Sequence, residues 1–257
     1  MKRLAFVIVL ICLFSLVSNV QATRPFTVND MVAMERIGDA QPSPDGSKVV
    51  FSVKIMDLEA NSGHTNLWMA ATDGSGSRQL TSHSAGDFSA RWANDTTLFF
   101  LSTRSGSVQV WRLSLEGGEA IQVTDLPLDV ESLVIGPDAT ALYLGLKVFP
   151  DCEDSIACTV KRLEAKEQQK TTGMVFDSIL VRHWDTWKDG RRNHIVAVKL
   201  DDKGSMTGEA VDLMAYMDTD CPTIPWGGDG DYTVTPDGSS VVFTAKNAKG
   251  AEVFIDC

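Results

Sequence analysis

The chain has 257 residues, 44% of them hydrophobic, and a formal net charge of −11 from 34 acidic and 23 basic side chains. That length suffices for one large domain. So acidic a balance argues against nucleic acid and anionic membrane as partners and fits an ordinary soluble surface.

Lys2 and Arg3 precede an apolar run from Leu4 to Val17, and Val20-Gln21-Ala22 places small residues where a signal peptidase reads. The run is too short and wrongly flanked for a membrane span, so residues 1–22 read as a cleaved secretory signal. The mature chain, 23–257, is then expected in an extracellular, periplasmic or endolysosomal space with no membrane anchor. Cys12 lacks the small residues that would precede a lipidated cysteine in a bacterial lipoprotein. After cleavage, Thr27 to Arg36 reads as a short helix, with Thr27 as cap, Asp30 at the capping-box position and Phe26 stapled against Met31.

A phrase then recurs. Ser43-Pro44-Asp45-Gly46-Ser47-Lys48-Val49-Val50-Phe51 returns as Thr235-Pro236-Asp237-Gly238-Ser239-Ser240-Val241-Val242-Phe243, with weaker copies around Asp95 and Asp138. The four aspartates lie 50, 43 and 99 positions apart, about one four-stranded propeller blade per interval with one interval doubled. Within each copy, Pro presets φ for a tight turn, Asp bonds the backbone two residues on, and Gly accepts positive φ. The apolar run behind the turn suits a strand buried on both faces. A second unit follows the first two copies: a Trp-bearing strand (Trp68, Trp111), a hairpin turn at Asp73-Gly74 or Gly117-Gly118, and a closing Gln79-Leu80-Thr81 or Gln122-Val123-Thr124. These units divide the chain into blade-like segments near 40–82, 88–126 and 131–214, with a fourth from about 231. The fold class expected is all-β: a partial β-propeller of three to four blades, with a short N-terminal helix and one helical insertion.

The insertion explains the doubled interval. It separates a strand at Leu142–Val148 from one at His194–Val198 and contains Cys152, Cys158 and a helical stretch from Val160 to Lys170. Cys152 and Cys158 flank a five-residue segment, a feasible local disulfide in an oxidising compartment, while Cys221 and Cys257 stay unassigned. No CxxC pair or nearby histidine completes a zinc set. Asn94-Asp95-Thr96 is an N-glycosylation sequon in an expected turn, usable only where the host glycosylates secreted proteins.

Leu180 to Gly190 holds the densest group of chemically capable side chains. His183 and Asp185 could form a metal or acid–base pair, but no third ligand or nucleophile accompanies them. They read instead as structural, with Trp184 and Trp187 anchoring a strand to the neighbouring blade while Arg182, His183 and Asp185 satisfy one another. Asp229 and Asp231, in the link Pro225–Tyr232, do not match the spacing of a calcium loop. No catalytic, cofactor-binding or metal-binding residue is assigned.

The early helix, the Ser43-Pro44-Asp45-Gly46 turn, the Leu67-Trp68…Leu80-Thr81 unit and the segment Val181-Arg182-His183-Trp184-Asp185-Thr186-Trp187 together resemble the N-terminal β-propeller of the prolyl oligopeptidase (S9) family, in its acylaminoacyl-peptidase and dipeptidyl-peptidase V-like branch. The resemblance spans the whole mature chain, and the Arg-His-Trp-Asp-Thr-Trp order carries most of its specificity. It implies a substrate-gating lid over a C-terminal α/β-hydrolase domain that acts on oligopeptides through a Ser–Asp–His triad. The Gly-x-Ser-x-Gly elbow of such a domain is not found in this sequence, nor is any βαβ alternation. The resemblance therefore implies part of a secreted serine peptidase, a truncated product or incomplete gene model without hydrolytic activity of its own. The alternative is a secreted non-enzymatic binding module akin to the Tol-system periplasmic propeller.

Overall fold

The computed structural model describes residues 24–152, 155–176 and 182–246. The expected signal segment 1–22, and Cys257 with the strand end before it, lie outside the described residues. Residues up to Met34 and those from Glu35 onward form two compact units. In the first, helix α1 (Val28–Ala33) carries the expected capping box: the Thr27 hydroxyl accepts from the Asp30 amide, and the Asp30 carboxylate accepts from the Thr27 amide. The helix stops before the expected Arg36. Phe26 and Met31 remain 68% and 50% exposed, so a staple between them covers little.

The second unit is a partial β-propeller. Its first sheet runs β1 (Arg36–Pro42), β2 (Lys48–Asp57), β3 (Ser62–Ala71) and β4 (Ser77–Gln79). The second runs β5 (Asp87–Asn94), β6 (Thr97–Ser102), β7 (Gln109–Ser114) and β8 (Ile121–Gln122). The third runs β9 (Val130–Ile135), β10 (Ala141–Val148), β13 (Arg192–Leu200) and β14 (Met206–Asp212). Between β10 and β13 lie helix α2 (Ser155–Glu167) and a small hairpin of β11 (Arg182–His183) and β12 (Thr186–Trp187). A fourth sheet opens with β15 (Tyr232–Val234) and β16 (Val241–Phe243). All pairings are antiparallel between sequence neighbours, apart from the insertion.

The recurrent phrase forms the turn between the first and second strands of each sheet, so each blade begins one strand earlier than the phrase. The turn is built as its residues dictate. Asp45 accepts from the Ser47 amide at 2.9 Å, Asp138 from the Thr140 amide at 3.0 Å and Asp237 from the Ser239 amide at 3.1 Å. In the second copy the turn-forming residue is Asn94, which accepts from the Thr96 amide at 2.9 Å, and not Asp95. Asp95 instead reaches across to the first blade and accepts from the Asp45 amide at 2.9 Å. The amide carbonyl of Asn serves the turn as well as a carboxylate does, which frees the next side chain for the neighbour.

Apolar runs in the middle strands serve two interfaces at once, because successive side chains face opposite sides of a sheet. On β6, Leu98 and Phe100 join Val50 and Leu67 of the first sheet, while Phe99 and Leu101 join Leu133, Leu142 and Leu144 of the third. On β10, Leu142, Leu144, Leu146 and Val148 face the second sheet, while Tyr143 packs with Ile195, Met214 and Tyr232 toward the fourth. Each such fully buried side chain contributes roughly 1.5–3 kcal/mol. Outer copies of the run differ from the expectation of burial on both faces: Val49 and Phe51 are half-buried, and Val242 is 58% exposed.

The second repeated unit closes each blade through its threonine. The Thr81 hydroxyl accepts from the Leu67 amide at 3.0 Å, and the Thr124 hydroxyl from the Val110 amide at 2.9 Å. Gln79 and Gln122 each donate to the carbonyl of the threonine two residues on. A third copy, unlike the others in sequence, is Asp212-Leu213-Met214: the Leu213 amide donates to the Ile195 carbonyl, and the Ile195 amide meets the Met214 sulfur at 3.4 Å.

In the insertion, Cys152 and Cys158 are joined by a disulfide, their Cα atoms 5.8 Å apart. Cys158 lies inside α2, which begins at Ser155 rather than Val160, so the segment expected as a cysteine loop is partly helix. The root of α2 is fastened to the end of β10, since the Phe149 amide donates to Thr159 and Arg162 makes paired bonds to Asp151.

Candidate functional site

Among the described residues of the second unit, two hollows are built in opposite ways. The inner one, about 690 Å³, is lined by the first strands of all four sheets, including Gln41, Arg91, Trp92, Ile135 and Tyr232. Those strands are shaped for it. On β1, Asp39 and Ala40 oppose one residue of β2; on β5, Ser89 and Ala90 oppose one residue of β6. Such bulges re-aim side chains, and here Asp39 and Ser89 adopt φ of 47° and 52°. The result brings Arg91 between two carboxylates: Asp39 at 2.8 Å and Asp229, which its Nε meets at 2.8 Å. Burial opposes the Arg91 charge, but these bonds outweigh it and raise its pKa above the ordinary value.

Other polar groups around the inner hollow are committed as well. Trp92 Nε1 donates to the Gln41 carbonyl at 2.9 Å, tying β5 to β1. The Tyr232 hydroxyl sits 2.9 Å from the Ser132 hydroxyl and donates to the Tyr143 carbonyl, tying β15 to the third sheet. Burial pushes the Tyr232 ionisation up, so it acts as a neutral hydrogen-bonding group. Asp231 accepts from the Thr223 amide and hydroxyl, whereas Asp229 faces Arg91. The two carboxylates therefore serve separate partners.

The outer hollow, about 310 Å³, lies between the β11–β12 hairpin and the segment Thr223–Gly227. Its arrangement corrects the expectation for Leu180 to Gly190, of which 182–190 are described. Trp184 and Trp187 do not anchor a strand in the neighbouring blade; they are 68% and 51% exposed. The hairpin is only two residues per strand, with Trp184-Asp185 as its turn and Trp184 at φ 47°. Trp184 meets Trp226 edge to face, ring centroids 5.1 Å apart at 77°, and Trp226 is itself 73% exposed. Trp187 carries Phe176 stacked at 5.8 Å and the Arg182 guanidinium at 5.4 Å. The described contact of Asp185 is with the Thr186 hydroxyl at 3.5 Å, and the His183 side chain lies outside the described residues.

Charged residues around this hollow face one another: Lys147 with Glu131 at 3.0 Å, Arg191 with Asp189 at 2.8 Å, and Arg192 with Asp218 at 2.7 Å and Asp220 at 3.3 Å. Behind them is a feature that the sequence reading missed. His194 is fully buried, with Nδ1 2.8 Å from Asp212 and Nε2 2.9 Å from the Met217 carbonyl. Aligning the blade-closing units would have found it, since His194 and Asp212 stand where the second sheet has Gln109 and Gln122. Arg91 was equally missed: its strand also carries Asp87, Ser89 and Asn94, so nothing in the sequence singled it out. Cys221 is buried nearby, its thiol pushed up to about 12 by burial and then by the Asp231 charge. Asn94 stays exposed at its turn, with its carbonyl engaged by Thr96.

No family model matches the sequence. A dipeptidyl-peptidase 5 of Porphyromonas endodontalis is 26% identical over 231 residues, covering 88% of this chain and 31% of that protein. An uncharacterized peptidase, YuxL, of Bacillus subtilis is 26% identical over 232 residues, covering 85% of this chain and 31% of that protein. The chain thus spans about a third of the length of the curated relatives it matches. Among solved structures, an acylaminoacyl peptidase in complex with a chloromethyl ketone matches 71% of this chain and 26% of its own, with TM-score 0.50 and 12% identity, a likeness of fold. Among the described residues, no helix is long and apolar enough to cross a membrane.

Proposed function

We propose, from the premise that this chain belongs to the prolyl oligopeptidase (S9) family as part of its N-terminal propeller, that it is the substrate-gating part of a secreted serine peptidase acting on oligopeptides. The observation that carries this is the extent of the match: 88% of the chain aligns with a dipeptidyl-peptidase 5, confined to 31% of that protein. Described blades supply a scaffold and hollows, and their polar groups are used in holding strands together. On this reading the segment contributes no nucleophile, and peptide hydrolysis belongs to a hydrolase domain of the whole enzyme. Secretion would keep the Cys152–Cys158 bond oxidised and, in a glycosylating host, would expose Asn94 to modification.

The test is direct. The purified chain is incubated with a fluorophosphonate probe and with fluorogenic dipeptide substrates. We expect neither labelling nor turnover; covalent labelling of any serine in this chain would overturn the assignment of a non-catalytic role.

A further inference from the structure

We infer that the outer hollow is a binding site for an extended peptide segment, which places one bulky apolar or aromatic side chain against Trp184, in the corner that its ring forms with Trp226 at the edge of the hollow. The inference rests on the peptide-handling role proposed above and adds a site and a side-chain preference to it.

The first argument is conformational. A two-residue hairpin turn needs positive φ at its first position, which glycine accepts freely and a bulky residue does not. The chain has tryptophan there, at φ 47°. Such strain persists where surrounding structure imposes it and clusters at ligand-contacting sites. Burial does not explain the choice, because the Trp184 indole is 68% exposed. Three of the chain's six tryptophans stand half or more exposed within this one neighbourhood, although large aromatic groups ordinarily gain most from being covered.

The second argument concerns what fits. The volume, about 310 Å³, lies at the lower end of the range of about 300–1,000 Å³ for ligand pockets, room for a side chain and its flanking peptide units. Ile224 and Pro225 form part of the lining opposite the hairpin. The lining cations Lys147, Lys188, Arg191 and Arg192 stand among four carboxylates: Glu131 beside Lys147, Asp189 beside Arg191, Asp218 and Asp220 beside Arg192, with Lys188 also acting on Asp220. Walls of paired charge offer donors and acceptors side by side without a field of one sign. That pattern complements a neutral chain of alternating N–H and C=O groups, and it disfavours phosphate or a polyanion. A sugar would ask for an open, flat indole face. Here the Trp184 and Trp226 rings touch at 77°, which makes a corner in place of an open flat face, and Trp187 already carries Phe176 and Arg182.

The experiment uses the full chain and blocked probe peptides, followed by calorimetry and intrinsic tryptophan fluorescence. Acetyl-Gly-Phe-Pro-Gly-amide is expected to bind saturably and to shift the emission, whereas acetyl-Gly-Asp-Ser-Gly-amide and maltohexaose are not. Trp184→Ala and Trp226→Ala should each weaken the Phe peptide tenfold or more. Trp184→Gly is the sharper variant: it relieves the backbone strain, so it should melt at or above the parent temperature while losing the same affinity. Absence of saturable binding by the Phe peptide would overturn the site, as would unchanged affinity in both Trp184 variants. Saturation by maltohexaose in place of the peptide would overturn it in favour of a glycan. Fluorophosphonate labelling bears on the non-catalytic role alone, so lost peptide binding without labelling would refute this pocket and leave that role standing.

Discussion

Arg91 and Trp184 both depend on a residue held at positive φ, yet they sit in hollows that work in opposite ways. Around Arg91 the bulged strands bring a cation to two carboxylates, and the charges satisfy one another. Around Trp184 the strained turn delivers an indole to solvent and to an edge contact with another exposed indole. In the first case the unusual backbone is compensated within the fold; in the second the gain lies outside it. A residue held in a costly conformation without a burial return is thus a better pointer to a ligand than a dense cluster of charges.

That contrast can be broken by substitution, starting with the largest expected effect. His194→Ala removes the ring between Asp212 and the Met217 carbonyl, leaving Asp212 with the Met214 amide and a void in the core, at a cost on the order of 3 kcal/mol. Urea denaturation of the full chain would measure the loss, and a change below about 1 kcal/mol would mean that this pair is not a structural pin. Arg91→Ala should cost roughly 2 kcal/mol, less than a fully buried pair because solvent reaches the site. A melting temperature equal to that of the parent would show the inner network to be incidental. Thr124→Ala removes two bonds, from the Val110 amide and to the Gln109 side chain, and should cost about 1–2 kcal/mol, read as a lower denaturation midpoint at unchanged slope.

The smallest effect is on acid stability. Hydrogen bonds from Ser43 and Ser47 hold the Asp45 carboxyl at about 2, and those from Thr235 and Ser239 do the same for Asp237. A depressed carboxylate contributes stability above its unfolded value near 3.8, and the contribution is lost as pH falls through about 2. Asp45→Asn should therefore flatten the fall in melting temperature between those two values without steepening it anywhere. An unchanged acid profile would remove the turn aspartate from the account.

The blades were legible because turn chemistry and apolar periodicity are local. Pro44-Asp45-Gly46 folds by bonds that its own neighbours supply, and Leu98 to Leu101 announce a strand covered on both sides. What the sequence hid is non-local or degenerate. Asn94 does the work of a turn aspartate, so the copy at Asp95 was placed one residue late. Asp212-Leu213-Met214 closes the third blade with none of the side chains that close the first two. The Trp184 segment was read as anchoring a strand to the neighbouring blade because no third ligand or nucleophile accompanies it, and only the hairpin geometry reverses that. Arg91 meets Asp229 across more than a hundred residues, a pairing that no spacing rule could propose.

The most direct test of the contrast measures two quantities on two variants. Melting temperature and affinity for acetyl-Gly-Phe-Pro-Gly-amide would be determined for Arg91→Ala and Trp184→Gly beside the parent chain. The structure predicts a crossed result: Arg91→Ala melts lower but binds as the parent does at a temperature where both are folded, while Trp184→Gly melts no lower and loses at least tenfold in affinity. If Trp184→Gly lowered the melting temperature and kept the affinity, the strained indole would be a structural element, and the distinction between the two hollows would fail.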